Sequence, residues 1–95
     1  MALALHELAT NAVKYGALGK PAGRLRVSWT TRQGWLLLEW TESGVDGLGA
    51  SARRGYGREL IEVALPFALG ARTRLEFPGD GLYCRIELPD HEWKI

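Results

Sequence analysis

Apolar residues recur at helical spacing near the start of the chain: Leu5, Leu8, Ala9, Ala12 and Val13. Positions three and four apart share one side of an α-helix, so this spacing predicts a helix with a buried apolar face. Glu7, Asn11 and Lys14 follow one another at intervals of four and three. These three side chains are therefore expected to form a polar stripe on the opposite side of the same helix.

Further along, apolar and polar residues alternate in four stretches, which is the pattern of half-buried strands. Residues 24–31 and 35–42 are joined by a short turn that contains Gly34, which predicts a hairpin. Residues 73–77 and 82–88 form a second pair around a Pro-Gly-Asp-Gly turn. The order of helix, two strands, loop, helix and two strands predicts an α/β (α+β) two-layer sandwich. Its sheet would be mixed but mostly antiparallel, with both helices on one face.

Between the two hairpins, residues 43–54 lack hydrophobic periodicity and are rich in glycine, which predicts a long functional loop. A second helix is expected to follow, with Pro66 interrupting it and Gly70 ending it. Its apolar positions are Leu60, Ile61, Ala64 and Leu65.

Composition narrows the class of protein. The chain of 95 residues has a formal net charge of +1, which gives no electrostatic case for binding nucleic acid or an anionic membrane. Its single Cys84 allows no internal disulfide, and we expect a buried core residue there. The chain shows no secretory signal and no apolar run long enough to cross a bilayer. We therefore expect one soluble cytoplasmic domain.

The polar stripe has a chemistry of its own. A carboxylate, an amide and an ammonium in a row can hold a hydrated divalent cation together with a polyphosphate, because Mg²⁺ takes few protein oxygens and keeps water and phosphate ligands. Glu42 ends the apolar side of the second strand, where a carboxylate is costly unless it is paired or faces a ligand. Such a carboxylate can accept a hydrogen bond from an exocyclic amine such as that of adenine.

A third cluster, Arg53-Arg54-Gly55-Tyr56-Gly57, is basic and leads into the second helix. Backbone amides at a helix start attract phosphate, and glycine permits close approach. Each cluster alone is a weak signal, since solvated stripes, strand-end glutamates and GxG loops are common. Their occurrence in this order is much rarer.

The stretches HELATNAVKYGAL, WTE, RRGYGRELIE and GLYCRIELP together resemble the ATP-binding catalytic domain of the HWE family of sensor histidine kinases. That family belongs to the Bergerat-fold (GHKL) ATPases, and its name refers to a histidine and a Trp-x-Glu, here His6, Trp40 and Glu42. The resemblance extends from about residue 3 to residue 89.

The resemblance implies a role for each matching residue of the first helix and the second strand. Asn11 would coordinate Mg²⁺ on the ATP phosphates, and Glu7 would act through the metal's water shell. His6, Lys14 and Tyr15 would lie beside the nucleotide. The adenine amine would be bound by Glu42, with Gly44 allowing the base to approach.

In the third cluster, the resemblance implies that Gly55 and Gly57 support the triphosphate, with Arg53 and Arg54 as phosphate contacts. Tyr56 would contact the nucleotide or anchor the loop. Purely structural roles are the alternatives for three residues. His6 can pack or form a hydrogen bond, Lys14 can be a solvated lysine at the helix end, and Trp40 can be a core residue beneath the adenine site.

Two departures from the family pattern matter. The loop after Glu42 reads Ser-Gly-Val-Asp-Gly, whereas the family carries paired glycines followed by proline. The chain also begins almost at the histidine block, and His91 matches no phosphoacceptor motif. We therefore expect residues 1–95 to be an N-terminally incomplete kinase domain. It would phosphorylate a histidine on an upstream helical domain, which would pass the phosphoryl group to a response regulator.

Two other function classes use the same fold. One is a serine kinase of the anti-sigma type, which needs no helical histidine domain. The other is a nucleotide-dependent binding module without catalysis.

Overall fold

The structure is a computed structural model that describes residues 2–45 and 60–89. Its elements, in chain order, are as follows: α1 (Ala2–Lys14), a 3₁₀ helix (Ala17–Gly19), β1 (Arg24–Arg32), β2 (Trp35–Ser43), a π-helical turn (Leu60–Ala64), α2 (Leu65–Leu69), β3 (Arg72–Glu76) and β4 (Leu82–Pro89). Every strand expected from the alternation is present, with ends within about two residues of the prediction.

The four described strands form one sheet in the order β1-β2-β4-β3. All three pairings are antiparallel, so the parallel component of the expected mixed sheet is not seen within residues 2–45 and 60–89. Between β1 and β2, Gln33 and Gly34 both have positive φ, at 48° and 82°. Two such residues make a type I′ turn, which matches the twist of a tight hairpin.

One face of the sheet carries the core. One row of residues crosses all four strands: Val27 lies opposite Trp40, Trp40 opposite Cys84, and Cys84 opposite Leu75. These residues pack in one cluster with α1 and with Ile61 and Leu65 of the second helical region. Both helices thus cover the same face, as the order of elements predicts.

The buried side of α1 differs from the prediction. It is centred on Ala4, Leu8 and Ala12, which are fully buried, while Val13 is 59% exposed and Asn11 only 4% exposed. The helix is therefore rotated toward Asn11 and away from Val13, and the expected polar stripe is split between the core and the solvent. Trp29 alternates with Leu25 and Val27, which predicts that it shares their buried side of β1. It is instead 68% exposed, and β1 is the outer strand of the described sheet.

The second helical region confirms the interpretation of its proline and glycine. Pro66 has no N–H and its ring crowds the preceding turn, and the chain here changes from a π-helical turn to the α-helical turns of α2. Gly70 ends α2 in the left-handed region, at φ 66°, where its N–H donates to the carbonyl of Pro66 at 3.1 Å. Among the described residues, no helix is both long and apolar enough to cross a membrane.

Candidate functional site

Glu42 is a buried carboxylate at the end of β2. It is 1% exposed and lies on the core face, in register with Leu25 and Leu82. Its Oε1 accepts a hydrogen bond from the backbone N–H of Ala17 at 2.9 Å, and its Oε2 accepts one from Trp40 Nε1–H at 2.8 Å. We expected this carboxylate to be paired or to face a ligand, and the chain itself supplies at least two of its partners.

The first of these bonds joins the sheet to the segment that follows α1, and the second lies within β2. Ala17 follows the last residue of α1 by three positions and is itself buried. Hydrogen bonds to a charged group contribute about 1.5–3 kcal/mol each, so Glu42 fixes the chain where it leaves the helix. Trp40 is 5% exposed, which confirms its expected place in the core.

Gly44 is required by packing. Its φ is 74°, and a Cβ there would collide with the carbonyl oxygen of Ala22. The segment after α1 therefore packs directly on the end of β2. The N–H of Gly44 donates to Asp80 Oδ2 at 3.2 Å, and that of Val45 donates to the Asp80 carbonyl at 2.8 Å.

Asp80 was missed as part of this region, because an aspartate in a Pro-Gly-Asp-Gly sequence is typical of a turn and carries no other signal. The turn also approaches Glu42 closely, since a Cβ on Gly81 would collide with the Glu42 carbonyl oxygen. The end of β2 is therefore held from two sides, by the segment after α1 and by the turn before β4.

Asn11 presents the opposite situation. Its side chain is 4% exposed, yet its Nδ2 has no hydrogen-bond partner among the described residues. A buried polar group without a partner costs about 1–3 kcal/mol, and a donor of this kind calls for an acceptor such as a water or an anionic ligand. The backbone carbonyl of Asn11 is engaged in the ordinary way, by the N–H groups of Tyr15 at 2.8 Å and Gly16 at 3.1 Å.

The other predicted residues of α1 divide by exposure. Glu7 lies one turn before Asn11 and is half-buried, while His6, Lys14 and Tyr15 are exposed. The structure thus brings Glu7 and Asn11 to one side of the helix. Lys14, in the last turn, points away from the core.

The basic, glycine-containing cluster at residues 53–57 lies outside the part of the chain that the structure describes. This cluster comprises Arg53, Arg54, Gly55, Tyr56 and Gly57, and His91 and all of the long loop beyond Val45 lie outside as well. Of the three regions expected to meet, two are linked: the end of α1 and the end of β2.

The side-chain oxygens of α1 fit Mg²⁺ better than a metal ion whose ligands all come from the protein. Within residues 2–45 and 60–89, no group of three His, Cys, Asp or Glu side chains could hold a metal ion. Mg²⁺ needs no such cage, because it is commonly bound through one or two side-chain oxygens with waters and substrate phosphates. The amide of Asn11 and the carboxylate of Glu7 fit that requirement.

The opposite face of the sheet has its own cleft, of about 390 Å³. In this cleft Arg72 lies over the ring of Trp35 at 4.4 Å. Outside the cleft, Tyr83 Oη–H donates to Glu39 Oε2 at 2.6 Å. That hydrogen bond, with some burial, raises the pKa of Tyr83. This surface is separated from Asn11 and Glu42 by the sheet.

Cys84 lies on the core face, opposite Trp40 in the register. Burial raises the pKa of its thiol to about 12, so it is an inert core residue. This confirms the expectation from the sequence.

Comparison with known proteins identifies the relatives of this chain. No family model matches it. It is 42% identical over 95 residues to blue-light-activated histidine kinase 1 of Erythrobacter litoralis, an alignment that covers 97% of this chain and 26% of the relative. It is 39% identical over 93 residues to the blue-light-activated histidine kinase of Brucella anthropi, with 94% and 19% covered.

Solved structures agree on the fold. The histidine kinase domain of the Erythrobacter litoralis EL346 blue-light-activated histidine kinase superposes with a TM-score of 0.64 at 20% identity, covering 94% of this chain and 45% of that one. The catalytic domain of histidine kinase ThkA gives a TM-score of 0.61 at 17% identity, covering 93% and 63%.

The chain spans about a quarter or less of the length of these curated relatives. The relatives confirm the resemblance to histidine kinases that HELATNAVKYGAL and WTE carry, and the structures confirm the expected two-layer fold. The chain is therefore homologous to histidine kinases along almost its whole length, and its fold is that of their catalytic domains.

Proposed function

We propose that this chain is the ATP-binding catalytic domain of a sensor histidine kinase of the HWE type. The observation that carries the proposal is the buried, unpartnered amide nitrogen of Asn11, on the helix that contains the histidine-kinase block. Because Nδ2 is a hydrogen-bond donor, its partner would be an acceptor such as a phosphate oxygen of the nucleotide, while a metal ion would bind the amide oxygen of the same side chain. Its neighbour Glu7, one turn earlier, adds a carboxylate on the same side.

Asn11 and Glu7 would hold Mg²⁺, Asn11 directly and Glu7 through a water. When bound, Mg²⁺ neutralises charge on the phosphates during transfer. The residues of this chain act by position: α1 holds the side chain of Asn11 out of bulk water, and the interaction of its amide oxygen with a cation is stronger there than in water. The exposed side chains of Lys14, Tyr15 and His6 would border the nucleotide.

Glu42 would bind the adenine amine. Each carboxylate oxygen can accept more than one hydrogen bond, so the base would share Glu42 with the N–H groups of Ala17 and Trp40. Gly44, held in a left-handed conformation against Ala22, keeps the backbone beside Glu42 without a side chain.

Arg54, Gly55, Tyr56 and Gly57 remain proposed contacts to the triphosphate. They support phosphate binding through backbone amides and a guanidinium ahead of the second helical region.

In the whole protein, the γ-phosphoryl group of ATP would pass to a histidine on a helical domain outside this chain. It would then pass to an aspartate of a response regulator in the cytoplasm. The protein contribution to such transfers is mainly alignment and electrostatic stabilisation, so the described residues need no nucleophile among them. Residues 1–95 would supply the nucleotide but not the acceptor.

The test is phosphoryl transfer by the full-length protein incubated with Mg²⁺ and [γ-³²P]ATP. Acid-labile label on a histidine is the expected result, and it should vanish in Asn11→Ala. Acid-stable label on a serine of a partner would indicate the serine-kinase class instead. Tight ATP binding without any transfer would indicate a binding module.

A further inference from the structure

A chain of hydrogen bonds connects Asn11 to Trp40. The Asn11 carbonyl accepts from Gly16 N–H at 3.1 Å, and the next N–H along the chain, that of Ala17, donates to Glu42 Oε1 at 2.9 Å. Glu42 Oε2 accepts from Trp40 Nε1–H at 2.8 Å. Each link is short enough to constrain both partners.

We propose that Trp40 is a positioning residue for the nucleotide site. Its indole N–H, together with the Ala17 N–H, fixes the Glu42 carboxylate as a joint between the end of β2 and the exit of α1. The joint holds Asn11 in place relative to the sheet. This inference rests on the proposed function, because it assigns Trp40 to the same nucleotide site.

The geometry favours a joint over mere packing. Trp40 and Glu42 are two residues apart on one strand, so both side chains point to the core face. A phenylalanine would fill most of the same space, but only an indole N–H can donate to the carboxylate there. Without that donor, the carboxylate loses one of the bonds that set its orientation, and the bond to Ala17 at the exit of α1 becomes less well fixed.

The joint lies in a rigid setting. The segment after α1 contacts Gly44 so closely that a methyl group cannot be inserted, and the turn at Gly81 abuts the Glu42 backbone. Because the packing around Glu42 is tight, a movement of Glu42 must also displace the segment after α1 that contains Ala17.

The first measurement is the affinity of the full chain for Mg·ADP by calorimetry, in Trp40→Phe and in matched variants. Trp40→Phe is expected to weaken binding at least tenfold. Trp29→Phe, on the exposed edge strand, should leave it within twofold. Leu38→Ala removes a buried neighbour on the same strand and face, so it should lower the melting temperature but also leave affinity within twofold.

The second measurement is the indole N–H signal of Trp40 in a ¹⁵N–¹H spectrum, assigned by its absence in Trp40→Phe. Glu42→Gln should shift it strongly, because an amide offers one acceptor oxygen and must turn its NH₂ toward one of the two donors. Mg·ADP should shift the Trp40 signal more than that of Trp29 or Trp35. The double variant Trp40→Phe/Glu42→Gln should bind no more weakly than Glu42→Gln alone, since the two residues act as a unit.

Three results would overturn the proposal: Trp40→Phe binding Mg·ADP like the parent, Leu38→Ala losing as much affinity as Trp40→Phe, or additive losses in the double variant. If the parent chain itself fails to bind Mg·ADP, the proposed function falls together with this inference. If the parent binds and Trp40→Phe binds equally well, only the role of Trp40 is wrong.

Discussion

Asn11 and Glu42 are both buried polar side chains near the end of an element, yet the fold treats them in opposite ways. Glu42 receives N–H groups from Ala17 and Trp40, whereas the Asn11 amide nitrogen has no partner among the described residues. The end of β2 is thus completed by the protein. Near the end of α1, in contrast, one buried donor is left without an acceptor, which the proposed function assigns to the nucleotide.

The two environments have opposite consequences for stability. Removing a carboxylate that satisfies buried donors leaves those donors unpaired, which is destabilising. Removing a buried amide whose nitrogen has no partner removes the cost of that unsatisfied donor. The same type of substitution, polar to alanine, should therefore separate a residue that holds the fold from a residue that holds a ligand.

Glu42→Ala should give the largest effect. It leaves the Ala17 N–H and the Trp40 indole N–H buried without an acceptor, at a cost of about 2–5 kcal/mol in the free energy of unfolding. In a domain of this size, that lowers the melting temperature by more than about 10 °C. Urea unfolding followed by circular dichroism measures it, and a loss below about 1 kcal/mol would show that the two bonds do not anchor β2.

Gly44→Ala should come next. The new methyl group would collide with the carbonyl of Ala22, and residue 44 has a positive φ that alanine adopts poorly. The free energy of unfolding should fall by about 1–3 kcal/mol. Gly79→Ala is the matched control, because a Cβ at that glycine has open space around it and should change stability by less than about 0.5 kcal/mol. Equal effects in the two variants would contradict the close packing of the two segments.

Tyr83→Phe should have a smaller effect. It removes the hydroxyl that donates to Glu39 at 2.6 Å. Glu39, unlike Glu42, is only half-buried, so water can replace the hydroxyl. The loss should be about 0.5–1 kcal/mol, well below that of Glu42→Ala. A loss as large as that of Glu42→Ala would remove the distinction between the two faces of the sheet.

The pH dependence of Tyr83 has a definite sign. Its pKa is raised, mainly by the hydrogen bond to Glu39, so folding favours the neutral phenol. The stabilisation is present below pH 10, the ordinary tyrosine pKa, and is lost as pH rises through the higher pKa of the folded state. Ultraviolet titration, with Tyr83→Phe to assign the signal, should place the pKa of the Tyr83 phenol above 10, and Glu39→Gln should bring it down.

The strands of this fold were predictable because their alternation is regular: Leu82, Cys84, Ile86 and Leu88 all reach the core. The side of α1 was not, because helical spacing defines a broad stripe and does not say which margin faces the sheet. Asn11 and Val13 sit on opposite margins, and the tertiary packing exchanged them.

The partners of Glu42 show the same limit in another way. Trp40 stands two residues earlier on the same face, so its contact with Glu42 was within reach of the sequence pattern. Ala17 lies 25 positions away and donates a backbone N–H, which has no side-chain signature. Long-range backbone contacts of this kind become visible only once the elements are packed.

The most direct test of the account is Asn11→Ala, measured for both stability and Mg·ADP affinity. Alanine removes the unpartnered amide nitrogen and is the better helix former by about 0.5 kcal/mol, so the free energy of unfolding should be equal to or higher than that of the parent. Calorimetry should at the same time detect no Mg·ADP binding at concentrations that saturate the parent. Unchanged binding, with or without a loss of stability, would contradict the assignment of this amide to the nucleotide and its metal.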